Sequence, residues 1–183
     1  MVVGGGGHGL ATAYYLAKNH GVKRIALIER GWLGGGNTGR NTTIVRSNYF
    51  YPASARLYDL ALRLFEGLGR ELNFNVMLSQ RGMMFLAHSP HDLEMQARSV
   101  NAMLVNGVHA EVLDAEQVRA RAPLLNFSPG ARFPIKGGFV QDRGGVARHD
   151  AVAWGYARAA SALGVDIIQG LEVTGFAIEG GPA

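Results

Sequence analysis

The sequence predicts an α/β protein with a Rossmann-like parallel central sheet and an inserted α+β lobe. Two observations predict this class. A glycine run lies between the short apolar strand at residues 2–3 and an amphipathic helix, and a helix followed by Gly-Val and an apolar strand recurs three times. We therefore expect residues 1–44 and 146–183 to share one domain, and residues 45–145 to form the lobe.

The first βαβ unit is predicted over residues 2–29. Apolar residues that include Leu10 and Ala17 repeat at spacings of three and four, which predicts a helix over residues 10–19. Gly21 is expected to end this helix in the left-handed conformation. The apolar run at residues 24–29 predicts a buried parallel strand, joined by a right-handed crossover.

The rest of the chain is predicted to alternate helices with strands after a glycine- and asparagine-rich loop at residues 31–52. The predicted helices are 54–72, 90–107, 114–123 and 150–163, with caps at Ser54, Ser89, Asp114 and Asp150. The predicted strands are 81–88, 138–141, 165–169 and 171–178, the last followed by a turn at 179–182. In the first of these helices, one face carries Leu57, Leu60, Leu64 and Leu68.

Composition narrows the functional classes. The 183 residues are 48% hydrophobic and contain no cysteine, which excludes disorder, disulfides and thiolate metal sites, and no metal site is expected. No apolar run is long enough for a membrane helix. The net charge of +4 comes from scattered arginines without interleaved aromatic residues, so an anionic small molecule is a better candidate partner than nucleic acid.

Both ends of the sequence suggest a longer polypeptide. Only a two-residue strand precedes the glycine run, whereas parallel strands usually have about five residues. The predicted strand at 171–178 has no partner strand after it. The first residues resemble no signal peptide, so we expect a cytoplasmic protein.

The glycine run matches the dinucleotide fingerprint G-x-G-x-x-G through Gly4, Gly6 and Gly9, and Glu29 follows twenty residues later at a strand end. Gly4 would permit a tight turn, Gly6 a close approach of the backbone to a diphosphate, and Gly9 close packing of helix and strand. The helix dipole and free amides would receive the phosphates, and Glu29 the ribose hydroxyls. A purely structural turn is the alternative. For His8, use of the backbone amide is favoured over use of the ring.

The residues after Glu29 favour FAD over NAD. The loop carries side-chain donors suited to oxyanions and hydroxyls, namely Asn37, Arg40, Asn41 and Thr42. An acid at the strand end followed by such a loop resembles FAD-dependent oxidases of the D-amino-acid oxidase and glycine oxidase type. In that family the loop wraps the ribityl and diphosphate portion of FAD.

A closer resemblance is to the beta subunits of heterotetrameric sarcosine oxidases. It covers essentially the whole chain and about the first half of such a subunit. The segments that carry it are GGGGHGLATAYYLA (4–17), GN (36–37), RNTTI (40–44), RSNY (46–49), SQRG (79–82), HD (149–150), VAW (152–154), VDIIQ (165–169) and EVTGF (172–176).

This resemblance implies oxidative demethylation of sarcosine to glycine, or of a related N-methyl amino acid to its demethylated product. It implies noncovalent FAD, transfer of electrons from FAD to a covalent FMN at an interface with an alpha subunit, reduction of O2 to hydrogen peroxide there, and capture of the one-carbon unit by tetrahydrofolate. Gamma and delta subunits would complete the enzyme. The catalytic residues are expected mostly beyond residue 183, so the chain alone is expected to be inactive.

Carried over residue by residue, the resemblance also implies the site residues. The FAD contacts would be Gly4, Gly6, Gly7, His8, Gly9, Glu29, Arg30, Asn37, Arg40, Thr42, Ile44 and Val173. The FMN would be attached to His149. Arg46 and Arg81 are candidates for holding a substrate carboxylate, although surface roles are equally compatible with their positions.

The position of His149 adds an argument from chemistry. It precedes Asp150, the expected helix cap, so its ring would lie near the positive end of a helix dipole. That dipole disfavours the imidazolium form and leaves a neutral nitrogen nucleophile.

Two other hypotheses for the function stay open: a single-chain amino-acid or glycine oxidase with FAD alone, and a noncatalytic dinucleotide-binding module.

Overall fold

The computed structural model describes residues 1–177, which group into two units. The first unit contains residues 1–43, 69–77 and those from 148 onward, and the second contains residues 44–68 and 78–147. In chain order, the elements are β1 (Val2–Val3), α1 (Gly7–His20), β2 (Ala26–Glu29), a 3-10 helix (Asn37–Arg40), β3 (Ile44–Val45), α2 (Pro52–Glu71), β4 (Met83–Ala87), α3 (Pro90–Val105), β5 (Glu111–Asp114), α4 (Ala115–Arg121), β6 (Gly137–Gln141), β7 (Gly145–Val146), α5 (His149–Ala162) and β8 (Asp166–Gln169).

A three-stranded parallel sheet with the order β1-β2-β8 organises the first unit. The first βα unit and the last helix–strand pair share one sheet, as expected, because β1 and β8 both pair with β2. Helices α1 and α5 pack against each other, and both contact this sheet. Leu10, Leu27 and Ala160 are completely buried and form part of the core.

The second unit contains an antiparallel sheet with the order β4-β6-β5 and a two-stranded antiparallel ribbon of β3 and β7. Every residue of β6 is buried, because β6 is the central strand and helices α3 and α4 contact it. Two apolar clusters form the core, one around Met103 and Phe139 and the other around Leu113 and Val118. The α/β class is therefore confirmed, with a parallel sheet in one unit and an antiparallel sheet in the other.

Three predicted caps agree with the structure. Gly21 ends α1 with a φ of 61°. The Ser89 side chain accepts the Asp92 amide, and Asp114 exchanges hydrogen bonds with Gln117, so both form capping boxes.

Two predicted caps are wrong. Helix α2 begins at Pro52, ahead of Ser54, because proline is preset for the first helical position and the Ala55 amide already bonds the Tyr51 carbonyl. Helix α5 begins at His149, so Asp150 lies inside its first turn, where it pairs with Arg148 instead of capping.

Two other boundaries differ from expectation. Helix α1 begins at Gly7 rather than at residue 10, with Gly6 as its N-cap, because the glycines continue into helical backbone. Strand β2 begins at Ala26 rather than at residue 24, since Arg24 has a φ of 54°, which a strand does not accommodate.

The predicted strand at 171–178 is not observed over residues 171–177, because none of residues 1–177 forms a ladder with it; residue 178 and the expected turn at 179–182 lie outside the described residues. The leucine face of α2 is mostly open: Leu68 is buried, whereas Leu57, Leu60 and Leu64 are exposed. None of the helices within residues 1–177 has the length and hydropathy needed to cross a membrane.

Candidate functional site

A cleft of about 680 Å³ lies in the first unit at the carboxyl ends of β1 and β2. Its walls are the glycine turn, the end of β2, the loop that follows β2 and the segment after β8. The lining residues are Val3, Gly4, Gly6, Gly7, His8, Gly9, Ile28, Glu29, Arg30, Gly31, Trp32, Gly35, Gly36, Asn37, Thr38, Arg40, Leu171, Glu172 and Val173. Ligands of open α/β sheets bind at this edge.

The glycine turn needs glycine at its two ends. Gly4 has a φ of 104°, a conformation that side chains other than glycine rarely adopt. A Cβ on Gly9 would lie 1.9 Å from the carbonyl oxygen of Gly4, so helix α1 passes directly against the turn. The backbone angle of Gly4 and the close contact at Gly9 agree with the expected roles of Gly4 in the turn and of Gly9 in close packing.

The amino end of helix α1 faces the cleft. Gly6 is its N-cap, without a capping side chain. The Gly7 amide donates to Thr38 Oγ1 at 2.9 Å. The amides of His8 and Gly9 have no acceptor within residues 1–177, so they stay available to an anionic group together with the positive end of the helix dipole.

Glu29 holds the turn in place from the end of β2. Its Oε2 accepts the Gly5 amide at 2.6 Å and its Oε1 accepts the Gly31 amide at 2.8 Å. These two hydrogen bonds, first that from Gly31, hold the pKa of the Glu29 carboxyl below its usual value. A carboxylate offers about four acceptor sites, so this one retains acceptors for ligand hydroxyls while it braces both loops.

The loop after β2 is tied to neighbouring parts of the first unit. The Gly34 amide donates to the Gly5 carbonyl at 2.9 Å, and the Leu33 amide donates to Gln169 Oε1 at 3.0 Å. A Cβ on Gly39 would lie 2.7 Å from the Gly34 carbonyl oxygen, so the 3-10 helix also needs a glycine. These contacts fix the conformation of the loop, which forms one wall of the cleft.

Charged and aromatic groups line the part of the cleft beyond Glu29. Arg30 and Glu172 form an exposed ion pair at 3.8 Å. Val173 follows Glu172 in the lining. Trp32 also lines the cleft, with 70% of its surface exposed. An exposed indole of this kind offers an apolar face to a ligand ring.

Most of the predicted FAD residues come together here. The cleft is lined by ten of them: Gly4, Gly6, Gly7, His8, Gly9, Glu29, Arg30, Asn37, Arg40 and Val173. Thr42 and His149 are not among its lining residues, and Ile44 begins β3 of the second unit. The prediction missed Thr38, Trp32 and Gln169. Thr38 stands next to Asn37 in the donor-rich loop, which is the signal that pointed to its neighbours.

His149 occupies the first position of helix α5, which contacts the 3-10 helix of the loop. Its Nδ1 atom is buried and has no hydrogen-bond partner among residues 1–177. On either side of His149 in sequence, the Arg148 guanidinium and the Asp150 carboxylate form an ion pair at 2.9 Å. The hydrogen bond from Arg148 lowers the pKa of the Asp150 carboxyl.

The two arginines considered for a carboxylate lie in the second unit. Arg46 donates to Asn48 Oδ1 at 2.7 Å, and its guanidinium lies 4.7 Å from the centre of the Tyr49 ring. Arg81 is exposed and donates to Ser79 Oγ at 3.3 Å. Within residues 1–177, no three histidine or carboxylate side chains are grouped so that they could bind a metal ion.

Comparison with known proteins agrees with this geometry. The family model of the FAD dependent oxidoreductases (DAO) matches residues 1–183. Sarcosine oxidase subunit beta of Rhodobacter capsulatus is 54% identical over 99% of this chain and 44% of that subunit. Sarcosine oxidase subunit beta of Rhizobium meliloti is 55% identical over 99% of this chain and 43% of that subunit.

Among solved structures, the L-proline dehydrogenase of P. horikoshii superimposes with a TM-score of 0.87 at 26% identity, over 97% of this chain and 45% of that chain. The chain thus spans less than half the length of the relatives it matches. Its resemblance to sarcosine oxidase beta subunits is confirmed, and with the family match over the whole sequence the chain belongs to the FAD-dependent oxidoreductase (DAO) family.

Proposed function

We propose that this chain supplies the FAD-binding part of an oxidase that demethylates sarcosine or a related N-methyl amino acid. The observation that carries the proposal is the cleft, which is lined both by the amino end of helix α1 and by Glu29. A helix end that binds anions beside a carboxylate suits a diphosphate followed by a ribose. The identity of 54–55% to sarcosine oxidase beta subunits supports the choice of substrate.

The residues of the chain hold and orient the cofactor in this proposal. The amides of His8 and Gly9 receive the diphosphate, and Glu29 accepts from the ribose. Asn37 and Arg40 also line the cleft, where they would offer donors to the ribityl and diphosphate groups. Thr42, Ile44 and Val173 remain proposed contacts, Val173 through its backbone at the adenine edge.

When bound, FAD would supply the two-electron oxidation of the amine, in which the substrate C–N unit loses two electrons and two protons and becomes an imine. Water or tetrahydrofolate would then take the one-carbon unit and release the demethylated amino acid. The two electrons would pass to FMN and from there, with two protons, to dioxygen, which would become hydrogen peroxide. The part of this chain is to hold FAD, through the amides of His8 and Gly9 and through Glu29.

The remaining parts of the proposal concern partners. We propose, from the resemblance, that FMN is attached to His149, whose Nδ1 at the start of α5 has no hydrogen-bond partner among residues 1–177. The nitrogen would replace a hydrogen on a flavin methyl carbon, with the two released electrons passing to an external oxidant such as O2. Alpha, gamma and delta subunits would complete a cytoplasmic enzyme, with catalytic groups supplied mostly by residues beyond 183.

Flavin content and turnover of the full-length protein, coexpressed with its proposed partner subunits, test this function. We expect one flavin to be released by acid and a second to stay on the peptide that contains His149, detected by mass mapping. Sarcosine added without oxygen should bleach the flavin absorbance. The variant His149→Ala should lose the retained flavin and keep the released one.

Each other result has a definite meaning. A colourless protein that takes up no flavin would contradict the FAD site. Flavin without any retained FMN, together with full turnover, would favour the single-chain amino-acid oxidase. Bound flavin that no amine reduces would favour a noncatalytic dinucleotide-binding module.

A further inference from the structure

Met77 lies on an exposed turn in the segment that joins α2 to β4. Its φ is 54°, a left-handed backbone conformation that a bulky residue rarely adopts. The side-chain oxygen of Asn75 accepts the Met77 amide at 2.9 Å, and the carbonyl of Val76 accepts the Arg148 amide at 3.1 Å. The main chain that leads into Met77 is therefore fixed by two hydrogen bonds, and the strained turn is held in place.

Exposure ranks the five methionines that follow the amino-terminal residue. Met77 has 55% of its surface exposed, and Met95 on helix α3 has 45%. Met83 and Met84 of β4 are half-buried, and Met103 is only 1% exposed. Of these five side chains, Met77 is therefore the one most accessible to a small solute.

An exposed thioether is open to oxidation by peroxides. Hydrogen peroxide transfers one oxygen atom to the sulfur, which loses two electrons and becomes a sulfoxide. The O–O bond of the peroxide breaks, and its other oxygen leaves as water. The proposed oxidase would supply this oxidant itself, because its reduction of O2 yields hydrogen peroxide.

We propose that Met77 is a modification site, where hydrogen peroxide released during turnover converts the thioether to the sulfoxide ahead of the other methionines of residues 2–177. The inference rests on the proposed function for its source of peroxide. It adds a site outside the cleft, since Met77 is not among the lining residues. The change is reversible, because methionine sulfoxide is a substrate of sulfoxide reductases.

Peptide mass mapping of the full-length protein, coexpressed with its proposed partner subunits, tests this site after turnover of sarcosine in air. The sulfoxide of Met77 should form at least about 10-fold faster than that of Met103, and also faster than that of Met95. Catalase added during turnover should slow the oxidation of Met77 several-fold, since it removes the oxidant.

Two variants serve as controls. Met77→Leu nearly conserves volume and removes the sulfur, so turnover should be unchanged and the corresponding peptide should gain no oxygen. Met95→Leu is the matched variant, in which the sulfoxide of Met77 should form at the wild-type rate.

Turnover that releases peroxide while Met77 stays a thioether, or while Met95 is oxidised faster, would overturn this inference alone. Oxidation of Met77 that catalase does not slow would overturn the role of released peroxide. If sarcosine yields no peroxide, the proposed function fails and turnover fails as the source with it. Hydrogen peroxide added without sarcosine then decides the site itself, which is wrong if Met77 is not the first of the five methionines to be oxidised.

Discussion

Glycine-to-alanine substitutions at two positions should have opposite effects, although the chemical change is the same. At Gly9, the new Cβ would lie 1.9 Å from the Gly4 carbonyl oxygen, whereas real Cβ contacts essentially never fall below 3.0 Å. The helix or the turn must therefore move by about 1.1 Å or more. We expect Gly9→Ala to lower the free energy of unfolding by about 3 kcal/mol, even after a gain of about 1 kcal/mol in helix propensity.

Gly67 provides the matched control. It lies inside helix α2, and a Cβ there would meet no atom of residues 1–177 within 4 Å. Gly67→Ala should therefore raise the free energy of unfolding by roughly 0.5–1 kcal/mol through helix propensity. Urea unfolding of the full-length protein measures both changes, and gel filtration measures the retained FAD. Gly9→Ala with wild-type stability and full flavin content would refute the argument from close approach.

Three further predictions concern the cleft and the second unit. Gly6→Val should abolish FAD binding by blocking the close approach of the backbone to the diphosphate, measured as flavin per protein; unchanged flavin content would contradict this. Because the pKa of Glu29 is lowered in the folded state, the ionised carboxylate stabilises the folded protein at pH values above its ordinary pKa of 4.5. This stabilisation is lost as the pH falls through the lower folded-state pKa. Stability measured against pH should show this loss in the wild type and not in Glu29→Gln; superimposable curves would argue against it. Asp59→Ala should cost about 1–3 kcal/mol, because this buried carboxylate accepts from two arginines. The exposed Arg98–Glu94 pair at 3.9 Å provides the control, since Arg98→Ala should cost under about 0.5 kcal/mol by thermal unfolding; equal losses would show that burial does not matter here.

The fingerprint could be predicted from sequence because each of its glycines has a local reason. Gly4 and Gly9 are separated by five positions, and one turn of backbone brings them into contact. Glu29 could be placed at the same edge because parallel strands end together. Eight of the ten predicted residues that line the cleft follow from these two rules or from the donor-rich loop after β2, whereas Arg30 and Val173 were implied by the family resemblance.

The contacts that complete the cleft could not be predicted in the same way. Gln169 reaches Leu33 across 136 positions, and Thr38 reaches Gly7 across 31. Neither pair has a periodicity or a motif, since both depend on how a loop folds over a sheet edge. The exposed leucines of α2 show the same limit, because their spacing defines a face and does not tell whether another element covers it.

The amino-acid sequence by itself determined the α/β class, the shared sheet of the first βα unit and the last helix–strand pair, and a glycine turn followed by an acid. These follow from short-range sterics and hydrophobic periodicity, which act within a few residues. Only the tertiary structure decided that Glu29 braces two loops with both oxygens and that Thr38 takes the Gly7 amide. Hydrogen-bond partners distant in sequence are chosen by the packing of the whole unit, because a buried or half-buried donor bonds whichever acceptor the fold brings within reach.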